Sequence, residues 1–131
     1  MLPESRLRHY FAIQHTEHGR VFPFLNCWGL VCEFYRRELN INLDLFLQYT
    51  PATMDSGYHA AQGEFREVSE PQLGDVIAFL TDKGVCYHVG VMLDAERFLH
   101  SRRGKGTQIT PLTMTAGHVI FYRHKDLDHA H

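Results

Sequence analysis

The sequence is poor in several residues and features that mark large protein classes. It has only three cysteines among 131 residues, an odd number and too few for a disulfide framework, which indicates a reducing compartment. The net charge is only −2, which argues against nucleic acid or an anionic membrane as a partner. The one basic cluster, residues 102–105 (RRGK), is interpreted as a solvated hairpin turn and not as a phosphate site.

Long apolar runs are also missing. No stretch approaches the ~18 apolar residues that a membrane span requires. The start, "MLPESRLRHYF", has no apolar segment after its basic residues, so it does not resemble a signal peptide. We therefore expect a protein that is cytoplasmic when synthesised, with no membrane partner. Repeats and low-complexity runs are absent, and the length predicts one domain over residues 1–131.

Local patterns predict helices in the first half of the chain and strands in the second. The predicted helices cover residues 4–14, with Leu7 and Phe11 on one face, 27–39 and 43–49. A connecting loop is expected at 16–25, and a helical turn near 58–66 inside the poorly defined segment 50–73. From Gly74 the apolar period changes to two and predicts five strands, at 74–80, 85–93, 97–101, 107–112 and 118–123. This order indicates an α+β domain in which N-terminal helices pack on a C-terminal antiparallel sheet.

The segment "FLNCWGLVCEFYRRELN", residues 24–40, places Cys27 in the first turn of a helix. Cys27, Leu30, Val31 and Phe34 form one apolar stripe, so Cys27 is expected to face inward. Asn26 is a suitable N-cap for the amide of Gly29, and an ion pair is expected between Glu33 and Arg37.

A cysteine at a helix start meets unpaired N–H groups and the positive end of the helix dipole. Both favour the thiolate and lower the pKa of the thiol, and the same N–H groups can stabilise an oxyanion. Position alone supports a structural Cys27 and a nucleophilic Cys27 equally. Cys32 is interpreted as a small buried hydrophobe.

Two histidines are predicted to lie on one face of the sheet. Alternation puts Val85, Tyr87, Val89, Val91 and Leu93 on the core face and Cys86, His88, Gly90 and Met92 on the other. A three-residue turn at 94–96 (DAE) would place Gly90 opposite His100 and make His88 its diagonal neighbour, close enough for a ring-to-ring hydrogen bond. A base whose second nitrogen is held by a polar group suits cysteine nucleophile chemistry.

Two less demanding interpretations of these residues stay open. In the first, each histidine is a separately satisfied, partly buried side chain. A zinc site of Cys27, His88 and His100, with Cys86 nearby, is the other alternative, although the close ligand pairs usual in structural zinc sites and an obvious fourth ligand are missing. We expect no metal and no cofactor.

Four blocks of sequence, "NCWGLV", "GDVIAF", "HVGV" and the later His100, occur in order over residues 24–123. This arrangement resembles the NlpC/P60 family of papain-like cysteine peptidases. The resemblance implies that Cys27 is the nucleophile, that His88 is the general base and keeps the cysteine as a thiolate, and that His100 orients His88. It also implies an enzyme that cleaves peptidoglycan stem peptides, typically after D-glutamate, without a metal or cofactor.

The chain also resembles a narrower group, the NlpC/P60-type tail-assembly proteins of phages and prophages. This likeness lies in Trp28, in "FYRRELNINL" and in the closing segment. That likeness implies other tail proteins as partners and a location in the virion tail. The chain departs from the family in Asn26, where aspartate is usual, and in "GRVFPFLN", which replaces a Tyr- and Gly-rich segment. Besides the zinc module, two rival functions remain: a catalytically idle tail component with the same fold, and an acyltransferase or amidase acting on lipids or small amides.

Overall fold

The computed structural model describes residues 2–127; Met1 and residues 128–131 lie outside it. The α-helices in this range are α1 (Glu4–Phe11), α2 (Cys27–Phe34) and α3 (Met54–Ala60). Helix α2 continues into a π-helical turn, Tyr35–Leu39, and short 3-10 turns cover Asp44–Gln48, Pro51–Thr53, Ala61–Gly63 and Leu112–Met114. Within the described range, no helix is both long and apolar enough to cross a membrane.

The strands form two sheets. A small one contains β1 (Gln14–His15), β2 (Arg20–Val21) and β3 (Phe24–Leu25) in the order β1-β3-β2. The large one contains β4 (Phe65–Val68), β5 (Val76–Leu80), β6 (Cys86–Met92), β7 (Arg97–Arg102), β8 (Gly106–Pro111) and β9 (His118–His124). Its order is β4-β9-β5-β6-β7-β8, and every neighbouring pair is antiparallel. The predicted α+β architecture is therefore confirmed.

Helix α2 is the central support of the site because all eight of its residues are buried. Its apolar stripe packs with one face of the large sheet, and α1 adds Leu7 and Tyr10 to the same core. A second, smaller cluster covers the other face and contains Ile77, Phe79, Met92 and Phe98. The sheet thus has apolar side chains on both faces, and the candidate site residues occupy one end of it.

A buried ion pair connects Asp75, the residue before β5, to Arg123 on β9. The carboxylate of Asp75, which is fully buried, accepts hydrogen bonds from Arg123 at 2.9 and 2.8 Å and from the amide of Gln72 at 2.9 Å. Gly74 before it has φ +92°, a conformation that favours glycine. The Gly-Asp dipeptide of the sequence therefore has a structural explanation: it turns the chain into β5 and ties this strand to β9.

The structure corrects three details of the predicted helices. The first helix ends at Phe11 and not at residue 14, and Phe11 is half exposed while Tyr10 is buried. The third predicted helix, 43–49, is a 3-10 turn, Asp44–Gln48. The expected pair of Glu33 with Arg37 is wrong: Glu33 is buried and binds Arg36 and His9, because α1 packs beside α2.

Strand β1 begins at Gln14, inside the predicted helix 4–14, and three further strands lie where the sequence predicted loop or helix. The expected loop 16–25 contains β2 and β3, and the segment 50–73 contains α3, which starts at Met54 and not near residue 58, followed by β4. Strand β4 exists through its pairing with β9, in which Val68 lies opposite Phe121. Such pairing depends on residues more than 50 positions away, so local periodicity does not indicate it.

A β-bulge changes the face of two residues in β6. Phe79 pairs with His88 while Leu80 pairs with Cys86, so Tyr87 is an extra residue in the ladder. Val85 and Tyr87 are therefore exposed, and Cys86 is buried in the helix-side core. The predicted core position of Val85 and Tyr87 is wrong, and so is the predicted shared face of Cys86 and His88.

Candidate active site

Asn26 positions Cys27 by capping helix α2 in a buried setting. Its Oδ1 accepts a hydrogen bond from the amide of Gly29 at 2.8 Å, as the sequence predicted. Its Nδ2 donates to the carbonyl oxygens of Glu17, at 3.0 Å, and Tyr49, at 2.8 Å. The start of the helix is therefore tied to two loops, and Cys27 is held at its first helical position.

The site lies where β6 and β7 separate. Their ladder contains the pairs Val91–Leu99 and Met92–Phe98, which is the register predicted from the three-residue turn. Beyond it, within the described range, the two strands no longer pair. A cleft of about 510 Å³ lies there, and its lining includes Cys27, His88 and His100. The structure thus brings the three residues predicted from the sequence to one cleft.

Cys27 is almost completely buried, with 4% of its surface exposed. Its Sγ donates a hydrogen bond to the Sδ atom of Met54 at 3.8 Å, and within residues 2–127 it makes no hydrogen bond to His88. Burial raises the pKa of the Cys27 thiol to about 11, although hydrogen bonds from the backbone of Val89, Trp28 and Cys27 itself act in the opposite direction. The expected lowering of the pKa is therefore wrong for this closed site, because desolvation outweighs the amides of the helix start.

The histidines form a side-chain relay across three strands. His88 Nε2 and His100 Nδ1 lie 2.7 Å apart, so the predicted ring-to-ring hydrogen bond is present. His100 Nε2 lies 2.9 Å from the hydroxyl oxygen of Thr110 on β8. Because Nε2 of His88 is engaged with His100, Nδ1 is the nitrogen left for the cysteine.

Close packing around Gly90 makes this relay possible. A Cβ atom at residue 90 would lie 2.9 Å from the carbonyl oxygen of Leu99 and 3.1 Å from Cβ of His100. The rings of His88 and His100 also contact Phe79 and Phe98, with centroid distances of 5.2 Å for His88–Phe79 and 4.6 Å for Phe98–His100. His100 is buried, whereas His88 is half-buried at the cleft.

Burial also keeps the two imidazoles neutral. It lowers the pKa of His88 to about 3, with smaller contributions in the same direction from His100 and Arg102. It lowers the pKa of His100 to about 4, again with help from Arg102. Burial thus favours the neutral form of both imidazoles and of the Cys27 thiol.

A model of the NlpC/P60 family matches residues 15–116. The chain belongs to the NlpC/P60 family. The match includes Cys27, His88 and His100, and the fold agrees with it. The NlpC/p60 domain of the peptidoglycan hydrolase SagA superposes with a TM-score of 0.62 at 16% identity, over 88% of this chain and 92% of that one. At this identity the superposition shows the fold alone. No curated protein matches the chain.

This NlpC/P60 domain has a physical reason to carry asparagine at position 26. The side chain both accepts one hydrogen bond and donates two to carbonyl oxygens. An aspartate could make only the accepting contact, and its second oxygen would face two carbonyls. The departure from the family pattern is therefore matched by Glu17 and Tyr49, which contribute those carbonyl groups.

Other conspicuous residues of the NlpC/P60 domain lie outside the cleft. Trp28 is buried and stacks on Phe46 with a centroid distance of 5.2 Å, so it packs beneath the site and does not line it. Cys32 donates to the carbonyl oxygen of Leu43 and is buried, as predicted. Within the described residues, no cluster of three or more His, Cys, Asp or Glu side chains has the arrangement of a metal site.

Sequence reasoning missed three residues that line the cleft. Met54 contacts the cysteine, Thr110 binds His100, and His15 Nδ1 lies 2.8 Å from the hydroxyl oxygen of the buried Ser101. Nothing near Met54 or His15 in the sequence signals this placement. For Thr110 a signal exists: a three-residue turn at 103–105 pairs His100 with Gln108, which makes Thr110 a diagonal neighbour of His100 on the same face.

The basic hairpin turn forms one rim of the cleft. Arg102 pairs with Gly106 across the turn, and residues 102–105 are exposed, as the sequence predicted. Arg103 forms an ion pair with Glu17 at 3.0 Å. Both arginines line the cleft, so this rim carries positive charge close to the histidines.

Proposed function

We propose that this NlpC/P60 domain is a thiol hydrolase that cleaves an amide bond in a peptidoglycan stem peptide. The observation that carries the proposal is the shared cleft, in which a helix-start cysteine lies with two hydrogen-bonded histidines. In the proposal Cys27 is the nucleophile, His88 is the general base and acid, and His100 orients His88.

In the first step the sulfur of Cys27 attacks the carbonyl carbon of the substrate. A C–S bond forms, the thiol proton moves to Nδ1 of His88, and an electron pair of the carbonyl bond moves to the oxygen. His88 thus acts as the general base in this step. The backbone N–H of Cys27, at the start of α2, contributes a donor for the developing oxyanion.

In the second step the tetrahedral intermediate collapses. The C–N bond breaks, His88 returns the proton to the leaving amine, and the acyl group stays on Cys27 as a thioester. A water molecule then attacks the thioester with His88 again as the base. The C–S bond breaks, the acid product leaves, and the thiol regains its proton, so protons balance over the cycle.

The substrate class rests on the family and on its structural relative. Membership of the NlpC/P60 family supports a hydrolase, and the superposed domain belongs to a protein named as a peptidoglycan hydrolase. A scissile bond after D-glutamate is the finer part of the proposal and rests on the sequence motifs. Association with a phage or prophage tail likewise rests on the likeness of Trp28 and the closing segment.

One observation favours a second candidate, a catalytically idle tail component. Cys27 is nearly inaccessible in this conformation, its sulfur contacts Met54, and no hydrogen bond joins it to His88. A domain retained for assembly needs only its surface and tolerates such a closed site. Stable binding to other tail proteins, without turnover of any wall fragment, would favour this candidate.

The deciding experiment measures hydrolysis of soluble stem peptides by mass spectrometry. Wild type should release two fragments, and Cys27→Ala should release none while keeping the circular dichroism spectrum of the wild type. Cys86→Ala is the matched control, because Cys86 is buried outside the cleft lining. Turnover retained in Cys27→Ala would exclude the mechanism.

A further inference from the structure

Thr110 ends the histidine relay, and its hydroxyl is the one side-chain partner of His100 Nε2 within the described residues. We propose that Thr110 is a positioning residue that selects the tautomer of His100 and, through it, the tautomer in which His88 can act as a base. The inference rests on the proposed function for its catalytic meaning. Its structural content, the location of two protons, can be measured without a substrate.

The proton positions follow from counting donors and acceptors. Nδ1 of His88 must be unprotonated to accept the proton of Cys27, so the ring proton of neutral His88 sits on Nε2. That proton lies in the 2.7 Å contact with Nδ1 of His100, which must therefore be the acceptor. Neutral His100 then carries its own proton on Nε2 and donates it across 2.9 Å to the oxygen of Thr110.

The opposite arrangement disables the base. If Thr110 donated to Nε2 of His100, the proton of His100 would move to Nδ1 and point at Nε2 of His88. The remaining proton of His88 would then occupy Nδ1, where it faces the thiol and blocks proton transfer. A single hydrogen-bond direction at Thr110 thus distinguishes a competent site from an incompetent one.

The environment gives Thr110 this influence because few other groups can set the tautomer. His100 is buried, its ring contacts Phe98, and its Cβ lies close to Gly90. Burial, and after it the positive charge of Arg102, lowers the pKa of His100, so a doubly protonated ring is disfavoured. A neutral ring with one proton must place that proton on one of two nitrogens, and both nitrogens have a partner in the relay.

The same contact acts during proton transfer. When His88 accepts the proton of Cys27 it becomes an imidazolium, and its Nε2–H bond to His100 strengthens. Electron density then shifts from His100 toward His88, and the Nε2–H of His100 binds the Thr110 oxygen more tightly. No proton leaves His100, so the relay stabilises charge without a second transfer.

The primary test is nitrogen-15 NMR of histidine-labelled full-length protein. In wild type both His88 and His100 should be protonated at Nε2, with the signals assigned from His88→Gln and His100→Gln. Thr110→Val should give mixed tautomers of His100, and Thr110→Ser should restore the wild-type pattern. A wild-type His100 protonated at Nδ1, or an unchanged spectrum in Thr110→Val, overturns the proposal.

Thr107→Val is the matched control for loss of a threonine hydroxyl on β8. The Thr107 hydroxyl donates to the carbonyl oxygen of Tyr10 at 2.6 Å, away from the histidines. This variant should lose thermal stability, and its His88 and His100 should both stay protonated at Nε2 as in the wild type. If Thr107→Val changed the tautomers as Thr110→Val does, the effect would be structural and the proposal would be wrong.

Kinetics separate this inference from the proposed function. Hydrolysis by Thr110→Val should fall about tenfold in kcat, the loss expected for one hydrogen bond to a developing charge, with KM unchanged and with rescue in Thr110→Ser. If wild type has no activity but the tautomers respond as described, the proposed function fails and the positioning role of Thr110 stands. If wild type is active and Thr110→Val retains full activity, the positioning role fails alone.

Discussion

The two sides of the cleft are built in different ways. On the nucleophile side, Cys27 is held by one side chain and by backbone: the N-cap of Asn26, the helix start and backbone hydrogen bonds to the sulfur. On the base side, His88, His100 and Thr110 hold one another by side-chain hydrogen bonds that cross three strands. The first side depends on one capping side chain and the helix that starts there, whereas the second depends on the register of two hairpins.

The two sides therefore differ in what perturbs them. A change of shape in the sheet should break the base side, since two diagonal contacts must be kept at the same time. A change of hydrogen-bonding capacity should break the nucleophile side, since Asn26 uses both its oxygen and its nitrogen. The four predictions below test this difference, from the largest expected effect to the smallest.

Gly90→Ala should damage the base side most. The new Cβ would lie 2.9 Å from the Leu99 carbonyl oxygen, so backbone must move and the two imidazoles separate. We expect about 1–3 kcal/mol of lost stability and at least a ~100-fold fall in hydrolysis, measured by urea unfolding and peptide turnover. Gly63→Ala, where nothing lies within 4 Å, is the control. Equal behaviour of the two variants would contradict the packing argument.

Asn26→Asp should damage the nucleophile side through its buried cap. The variant keeps the acceptor for Gly29 but loses two donated hydrogen bonds and turns a charge toward the Glu17 and Tyr49 carbonyls. We expect a loss of about 2 kcal/mol in the free energy of unfolding, after a partial offset from the helix dipole.

The control for this prediction is Asn42→Asp. Asn42 is exposed and its oxygen accepts from the amide of Asp44 at 2.8 Å, a role that aspartate can also perform. Its unfolding free energy should change little. A stability of Asn26→Asp equal to wild type would show that the two donated hydrogen bonds contribute nothing.

Acid should destabilise the protein through the base side. The folded-state pKa values of His88, about 3, and His100, about 4, lie below the unfolded value of about 6.5. Below pH 6.5 the unfolded chain therefore binds protons that the folded chain does not, and stability falls as pH falls. We expect a decline of roughly 1–2 kcal/mol per pH unit between pH 6 and 4.5, measured by urea unfolding.

Two other histidines contribute to this slope, since burial lowers the pKa of His15 and of His124 as well. The double variant His88→Gln, His100→Gln isolates the relay. It should show a clearly shallower slope than wild type over the same range. Identical slopes would mean that the relay histidines titrate in the folded protein as they do in the unfolded chain.

Met54→Leu should have the smallest effect, on the nucleophile side. It preserves side-chain volume but removes the sulfur that accepts from the Cys27 thiol, so the thiolate fraction should rise. We expect iodoacetamide to alkylate Cys27 about twofold faster at pH 8, equivalent to a few tenths of a kcal/mol. Met114→Leu, in the same cleft but exposed, is the control. An unchanged rate would leave Met54 with a packing role only.

Part of the site could be predicted because its geometry is local. The N-cap of Asn26 follows from residue type and from the start of an apolar stripe. The contact of His88 with His100 follows from a three-residue turn, which sets the register of a hairpin by itself. The same reasoning applied to the next turn finds Thr110.

The errors came from features that local patterns do not encode. The extra residue Tyr87 reverses which side of the sheet the residues just before it face, and alternation alone cannot locate such a bulge. Strand β4 depends on pairing with β9, and the burial of Glu33 depends on α1 packing beside α2. In the last two cases the partner lies more than 20 residues away.

The sequence by itself determined where α2 starts, which face of β6 carries His88, and that His88 and His100 would meet. Only the tertiary structure decided the state of Cys27. A pKa depends on how much water and charge surround the group, and the groups that close over Cys27 come from α3 and β6 as well as from its own helix. The position at the helix start lowers the pKa of the Cys27 thiol, but burial beneath Met54 raises it by more. The resting cysteine is therefore a neutral thiol.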